Sequence, residues 1–227
     1  MSYVFPVPIP SVPIAASELR FPVHRIYCIG RNYAEHAKEM GSAPEKGEPV
    51  FFMKPADAVV SDGRDPRFPS VTKNLHHEVE LVVALQTGGR DIVVADALEC
   101  VFGYSVGVDL TRRDLQAAAK AKGNPWDIAK GFDDSAPIAP IVVSGGRHPI
   151  AERVVLSVNG TQRQAASVAD MLWSVPEIIS ELSKLYELQA GDLIYTGTPA
   201  GVGALLPEDR VQCSLDGWCT LEFGFSR

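Results

Sequence analysis

Residues 73–83 read KNLHHEVELVV, an alternation of polar and apolar side chains that is typical of a β-strand with one face in the core. Alternate side chains of a strand point to the same face, so we expect Glu78 and Glu80 to project together while Val79 and Leu81 enter the core. Two neighbouring carboxylates repel each other unless a cation lies between them or one stays protonated. The segment therefore predicts a strand that carries either a metal site or a solvated acidic face.

A third acid, Asp109, follows the apolar segment GYSVGV (103–108) and precedes a candidate helix. It either completes a metal site with Glu78 and Glu80 or serves as a turn or N-cap aspartate. Three carboxylates form an all-oxygen ligand set, which favours a hard cation such as Mg2+ or Mn2+. His76 falls on the same strand face, where as a ligand it would favour zinc or iron. We expect His76 to support the site rather than to bind the metal.

A second group of residues lies in GRNYAEHAKEM, residues 30–40. His36 and Glu39 are three positions apart, so on a helix they share a face. A carboxylate that orients an imidazole makes the imidazole a better general base for activating water. The alternative is an ordinary His–Glu pair on the protein surface.

Strands dominate the rest of the chain. Apolar and β-branched runs predict strands at 79–85, 102–108 and 192–196. The pairs Asn159-Gly160 and Asp216-Gly217 predict two hairpins, which join 153–158 to 161–165 and 210–215 to 218–225.

Three helices are predicted from their capping residues. They lie at 32–40 with Asn32 as the N-cap, at 111–122 between Thr111 and Gly123, and at 174–188 with a capping box of Ser174 and Glu177. The fold class is therefore α+β, mainly β, with a few peripheral helices on the outside of a curved sheet or roll. The repeated prolines of residues 1–22 predict an extended arm rather than a packed element, followed by a single domain over residues 23–227.

Composition excludes several classes of protein. The net charge of −7 argues against non-specific nucleic-acid binding, which requires a basic surface. No run approaches the ~20 apolar residues of a membrane span, and the proline-rich start does not fit a signal peptide. Four cysteines without metal-binding spacing predict free, mostly buried thiols. These features predict a cytoplasmic protein that binds neither nucleic acid nor membrane.

Six segments occur in an order that resembles the fumarylacetoacetate hydrolase family, over roughly residues 22–227. They are GRNYAEHAKEM, FFMKPADAVV, KNLHHEVELVV, GYSVGVDLTRRDLQ, NPWDIAKGFDDSAPIAP and DLIYTGTPAGVG. GVDLTRRDLQ and PWDIAKGFDDSAPI are most similar to the fumarylpyruvate hydrolase and acylpyruvase members. The glycines of the last segment lack G-K-[ST], so a nucleotide site is not predicted.

The resemblance implies a mixed β-sandwich roll, usually a homodimer. It implies metal ligation by Glu78, Glu80 and Asp109 and a water-activating pair of His36 and Glu39 on a mobile segment. The family's remaining functional positions fall on Lys130, near the substrate and the metal, and on residues assigned to substrate binding, which are Arg113, Gln116, Thr198 and Lys54. Larger members have a fourth metal-binding aspartate without a match in this chain, so water is expected at that position.

The implied function is metal-dependent hydrolysis of the carbon–carbon bond of an acylpyruvate, with fumarylpyruvate giving fumarate and pyruvate in gentisate-type aromatic catabolism. Arg113 or Gln116 would recognise the distal carboxylate of this diketo acid. An oxaloacetate decarboxylase or a related isomerase would use the same metal ligands, although decarboxylation requires no attacking water. A non-catalytic β-rich binding protein is the alternative from a different class, and it would not require metal.

Overall fold

The computed structural model describes residues 4–41 and 43–226 and shows a mixed α+β fold made mostly of sheets. The strands are β1 (Ser11–Pro13), β2 (Arg20–Pro22), β3 (Ile26–Gly30), β4 (Val50–Lys54), β5 (Val59–Val60), β6 (Leu75–His77), β7 (Val79–Leu85), β8 (Val101–Val108), β9 (Thr111–Arg112), β10 (Ala136–Pro137), β11 (Val142–Val143), β12 (Arg153–Val158), β13 (Thr161–Ser167), β14 (Leu193–Tyr195), β15 (Gly203–Leu205), β16 (Val211–Leu215) and β17 (Cys219–Phe223). The α-helices are α1 (Ala34–Glu39), α2 (Arg113–Lys122), α3 (Asp127–Lys130) and α4 (Val175–Leu185), and short 3-10 helices cover Ala56–Ala58, Ala97–Cys100 and Val168–Asp170.

A six-stranded mixed sheet forms the centre of the molecule, in the order β11-β8-β7-β14-β3-β4. Within it only β14 and β3 are parallel. A four-stranded antiparallel sheet, β13-β12-β16-β17, packs on one face and shares an apolar core with β7, β8 and α4. A second apolar core covers the other face of β7. Because both faces are covered, every residue of β7 is buried.

The segment around Glu78 differs from the single strand that the sequence predicts. Leu75–His77 belongs to a three-stranded sheet, β15-β6-β9, whereas Val79–Leu85 belongs to the central sheet. The antiparallel segment that pairs with it makes the same change at Asp109, since β8 belongs to the central sheet and β9 to the three-stranded sheet. The N–H of Asp109 donates to the carbonyl of Glu78 at 2.8 Å. The chain therefore passes between two sheets at Glu78 and Asp109, and this junction brings the two acids together.

Both predicted hairpins are confirmed. Strands β12 and β13 pair across Asn159-Gly160, where both residues have positive φ, as a tight hairpin turn requires. Strands β16 and β17 pair across the turn that contains Gly217. The four cysteines are free, and only Cys219 is not fully buried.

Two of the three predicted helix starts are wrong. The first helix begins at Ala34 rather than after Asn32, whose fully buried amide instead bonds to the backbone of Trp173 and Thr196 at 2.6–2.9 Å. Thr111 lies in β9 and donates to the carbonyl of Asp109, so it does not cap α2. The left-handed Gly123 ends α2 as predicted.

The third helix is confirmed with its capping box. The carboxylate of Glu177 accepts hydrogen bonds from the backbone N–H and the hydroxyl of Ser174. This helix ends at Leu185 rather than 188, because Tyr186 returns to an extended conformation.

The predicted N-terminal arm is packed over part of its length. Residues 1–3 lie outside the described residues, and residues 4–10 form no helix or strand. Strands β1 and β2 then form an antiparallel pair that buries Val12 and Phe21 against the second core. The prediction of an extended, unpacked segment is therefore wrong for residues 11–22, because their alternate apolar side chains find a core that local composition does not reveal. Within the described ranges, no helix has both the length and the apolar character required to cross a bilayer.

Candidate active site

The junction between the sheets holds a buried group of three carboxylates. Glu78, Glu80 and Asp109 each place one carboxylate oxygen within 4.8 Å of the others. Their exposed fractions are 4%, 1% and 0%. Glu78 and Glu80 share a side of the chain, as predicted from alternation, while Val79 and Leu81 enter the first core. Three carboxylates this close in a buried site require cations nearby or protonation.

Among the described residues, three cationic side chains contact this group, namely Lys130, Arg113 and Lys54. Lys130, at the end of α3, donates to Glu78 Oε2 at 2.7 Å, to Asp109 Oδ2 at 2.6 Å and to Thr111 Oγ1 at 2.7 Å. Burial by itself would lower the pKa of Lys130, but the charges of Asp109 and Glu78 outweigh burial and raise it. Arg113 donates to Glu78 Oε1 and, at 2.6 Å, to Gln116 Oε1. Burial would raise the pKa of Glu78, but Lys130 and Arg113 hold it well below its usual range.

Lys54, which the sequence assigns to substrate binding, contacts the carboxylate group instead. It is fully buried and is absent from the lining of the cavity described below. Its Nζ lies 2.8 Å from Asp109 Oδ1 and donates to the carbonyls of Leu110 and Lys130. Lys54 therefore stabilises the charged carboxylate of Asp109 from behind and does not contact a ligand in the cavity.

The donor atoms of the three acids fit a metal ion. Asp109 Oδ1 lies 2.8 Å from Lys54 Nζ but accepts no hydrogen bond from the described residues. Glu80 accepts from the backbone N–H of Gly197 at 2.7 Å and, among the described residues, contacts no cationic side chain. Burial, with the charges of Asp109 and Glu78, raises the pKa of Glu80 well above its usual value. A divalent cation beside Glu80 would favour the charged form of this acid, and the three carboxylates form the oxygen ligand set that suits Mg2+ or Mn2+.

The His36–Glu39 pair is present on α1. His36 Nδ1 lies 3.3 Å from Glu39 Oε2, and both carboxylate oxygens of Glu39 accept from the N–H of Gly201 at 3.2 Å. Burial lowers the pKa of His36 and outweighs the opposing effects of Glu78 and Glu39. The imidazole is therefore held neutral near pH 7, in the form that can accept a proton.

One cavity connects these groups. Glu78, Glu80, Lys130 and His36 all line it. The predicted substrate-binding residues Arg113, Gln116 and Thr198 line it as well. The structure thus brings together all ten residues assigned to the site from the sequence: seven line the cavity, Asp109 and Glu39 lie behind the lining, and Lys54 contacts Asp109. His76 lies outside the carboxylate group and accepts from Arg113 Nε at 3.5 Å, and its supporting role stays a prediction.

Sequence reasoning missed several residues of the site. Arg31, Lys120 and Trp126 line the cavity, and Gln164 bonds to Thr198 from behind. Nothing in the sequence pattern marks Arg31 as a site residue. In the structure it stands out by its φ of 60°, which is unusual for a residue other than glycine. Gln164 lies in a hairpin strand whose other polar residues are exposed or half-buried, so its sequence pattern contains no sign of burial.

The chain is similar to proteins of known family and structure over nearly its whole length. The family model described as "Fumarylacetoacetate (FAA) hydrolase C-terminal" matches residues 25–225. A rat protein named oxaloacetate tautomerase FAHD1, mitochondrial, is 43% identical over 203 residues, which are 89% of this chain and 91% of that protein. A crystal structure of fumarylpyruvate hydrolase from Pseudomonas aeruginosa, in complex with Mn2+ and pyruvate, has a TM-score of 0.96 and 45% identity and covers 99% of each chain.

Proposed function

The chain belongs to the fumarylacetoacetate hydrolase family, and on that premise we propose that it hydrolyses the carbon–carbon bond of an acylpyruvate, namely fumarylpyruvate to fumarate and pyruvate. The observation that carries this proposal is the His36–Glu39 pair, which shares one cavity with the carboxylate group and Lys130. Hydrolysis requires a base for water, whereas loss of carbon dioxide from oxaloacetate does not. The similarity to the Pseudomonas aeruginosa fumarylpyruvate hydrolase over the full chain supports the same choice.

We assign Mg2+ or Mn2+ to Glu78, Glu80 and Asp109, within a catalytic domain of residues 23–227. When bound, this ion would polarise the substrate's oxo group and stabilise negative charge on it. The homodimer, the cytoplasmic location and the role in aromatic catabolism stay predictions. The rat relative is named as mitochondrial, so similarity to it does not support a cytoplasmic location.

In the proposed mechanism, the neutral His36 removes a proton from water, and Glu39 stabilises the resulting imidazolium. The hydroxide attacks the 4-oxo carbon of the substrate. The bond between carbons 3 and 4 then breaks, its electron pair leaves with the pyruvate half as an enolate, and the acyl half leaves as fumarate. The ammonium of Lys130 lies on the cavity wall beside Glu78, where its charge favours the enolate. The proton held by His36 then passes to the enolate carbon, which completes the formation of pyruvate and restores the neutral imidazole.

The second carboxylate of fumarylpyruvate requires a cationic partner at the other end of the cavity. Arg113 is already engaged by Glu78 and Gln116. Arg31 and Lys120 also line the cavity, and within the described residues neither forms an ion pair with an acid. Burial lowers the pKa of Lys120, and so do the charges of Arg31 and Arg113. We therefore assign the distal carboxylate to Lys120 and Arg31 rather than to Arg113 or Gln116.

The assignment of the distal carboxylate predicts a selective change in affinity. We expect Lys120→Gln to raise the KM for fumarylpyruvate about fivefold, because a partly exposed ion pair contributes about 1 kcal/mol. The KM for acetylpyruvate, which lacks the second carboxylate, should stay the same. Steady-state kinetics of both substrates measure this difference. Lys122→Gln on the same helix, outside the cavity, is the control, and equal effects on the two substrates would contradict the assignment.

The lowered pKa of His36 predicts the pH dependence of the reaction. Because burial disfavours the imidazolium, the base loses its proton at lower pH than an ordinary histidine, whose pKa is 6.5. We expect kcat/KM for fumarylpyruvate to be high at neutral pH and to fall as the pH drops through a midpoint below 6.5, where His36 becomes protonated. Initial rates between about pH 4 and 8 test this. A midpoint above pH 7 would show that another group is the base.

The direct test of the proposed function follows the ultraviolet absorbance of fumarylpyruvate with purified protein and Mg2+ or Mn2+. Loss of absorbance with stoichiometric fumarate and pyruvate is the expected result. Oxaloacetate is tested in parallel for its enol–keto conversion and for release of carbon dioxide. Turnover of oxaloacetate alone would retain the site and replace the hydrolase by a tautomerase or a decarboxylase.

A further inference from the structure

Gln164 lies outside the cavity but contacts two of its walls. Its side chain is almost fully buried, in a strand whose neighbouring polar residues are exposed. In the pairing of β12 with β13, Leu156 lies opposite Gln164 and Ser157 lies opposite Gln162, so Arg163 is an extra residue. Such a bulge redirects the side chain that follows it. The bulge therefore turns Gln164 inward, away from the register of its strand.

The loop that carries Thr198 is packed against this bulge. A Cβ atom on Gly201 would lie 2.1 Å from the carbonyl oxygen of Arg163, and Gly201 has a φ of 95°. Only glycine allows this approach and this conformation. The backbone thus fixes the distance between Gln164 and the segment 196–201, and the side-chain contacts do not depend on a flexible loop.

The orientation of the Gln164 amide follows from two backbone partners. The N–H of Val79 can only donate, and it lies 3.1 Å from Gln164 Oε1. The carbonyl of Pro199 can only accept, and it lies 2.8 Å from Nε2. The oxygen of the amide therefore faces β7, and its nitrogen faces the Thr198 loop.

This orientation determines what the Thr198 hydroxyl can do. Gln164 Nε2 donates its second hydrogen to Thr198 Oγ1 at 2.8 Å. Because that oxygen accepts from Gln164, the hydroxyl hydrogen of Thr198 stays free to donate. Because Thr198 lines the cavity, an acceptor bound inside the cavity can receive this hydrogen.

We propose that Gln164 is a positioning residue that presents the Thr198 hydroxyl as a donor to the carboxylate of the pyruvate half of the substrate. The same amide holds the N–H of Val79, between Glu78 and Glu80, and accepts from His77 Nδ1 at 2.9 Å. All four hydrogen-bonding positions of Gln164 are thus used. One buried side chain connects the strand of the carboxylate group to the segment that binds substrate. This inference rests on the proposed function for the identity of the ligand.

The test uses Gln164→Glu, which keeps the shape of the side chain and an acceptor for Val79. The new carboxylate replaces the donor that faces Thr198, so the hydroxyl turns to donate to Glu and no longer to the cavity. We expect the Kd of pyruvate for the Mn2+-loaded protein to rise about tenfold or more, because hydrogen bonds to charged groups are among the stronger ones. Isothermal titration with pyruvate measures this without turnover. A titration with Mn2+ confirms that the variant still binds the ion.

Thr198 variants complete the experiment. Thr198→Val should weaken pyruvate binding to the same extent, and Thr198→Ser, which keeps the hydroxyl, should bind like the natural protein. The double variant Gln164→Glu with Thr198→Val should be no weaker than either single variant, since both remove one donor. Unchanged pyruvate binding in Thr198→Val, or effects that multiply in the double variant, would overturn the proposal. If pyruvate binding follows this pattern but fumarylpyruvate is not hydrolysed, the positioning role stands and the proposed function fails.

Discussion

Glu80→Gln should lose more than about 100-fold in affinity for Mn2+ while the metal-free protein keeps its stability. A change in an outer contact of a metal ligand already costs about 10–100-fold, so removal of a ligand charge should cost more. Stability should not change, because within residues 4–41 and 43–226 Glu80 contacts no cationic side chain and accepts only from the N–H of Gly197. A glutamine can accept from the same N–H with its oxygen. Calorimetric titration with Mn2+ and thermal unfolding of the metal-free protein measure the two effects separately.

Asp109→Asn is the informative comparison. Its carboxylate contacts the ammonium groups of Lys130 at 2.6 Å and Lys54 at 2.8 Å, both buried. The variant should therefore lose metal binding and also about 3 kcal/mol of stability, because removal of one partner leaves buried charge uncompensated. Glu222→Gln, whose exposed side chain pairs with Arg210 at 3.0 Å far from the site, is the control for the loss of a carboxylate at the surface. Normal Mn2+ affinity in Glu80→Gln would exclude Glu80 as a ligand.

His36→Ala should lower kcat for fumarylpyruvate about 10²–10⁴-fold, the usual contribution of a general base. Its affinity for Mn2+ should stay the same, since His36 is not part of the carboxylate group. Steady-state kinetics and metal titration of the same preparation measure both quantities. The combination of intact metal binding and lost turnover separates a base from a ligand.

A suitable control lies on the same short helix. Lys38 pairs with Glu35 on the exposed side of α1, at 2.6 Å, and does not line the cavity. Lys38→Ala should therefore keep kcat, which shows that the effect of His36→Ala is not caused by disturbance of the helix. Hydrolysis that continues at the natural rate in His36→Ala would contradict the mechanism and would favour a reaction without attacking water.

The sequence by itself determined those features that depend on near neighbours. Strand alternation placed Glu78 and Glu80 on one side, and the turn pairs located both hairpins. The spacing of Ser174 and Glu177 located the start of α4, because a capping box is complete within one turn of helix. The three-residue spacing of His36 and Glu39 predicted their contact for the same reason. In each case the partner of a side chain lies within a few positions along the chain.

Only the tertiary structure decided the features whose partners are distant in sequence. Asn32 has the chemistry of an N-cap, and an N-cap contributes about 1 kcal/mol to helix stability. Its buried amide instead forms three hydrogen bonds with the backbone of Trp173 and Thr196, which lie 141 and 164 positions further along the chain, and these bonds outweigh the capping interaction. The change of sheet at Glu78, the burial of Val12 and the inward turn of Gln164 likewise depend on elements far along the chain. A polar side chain bonds to the partner that burial leaves available, and the folded backbone determines which partner that is.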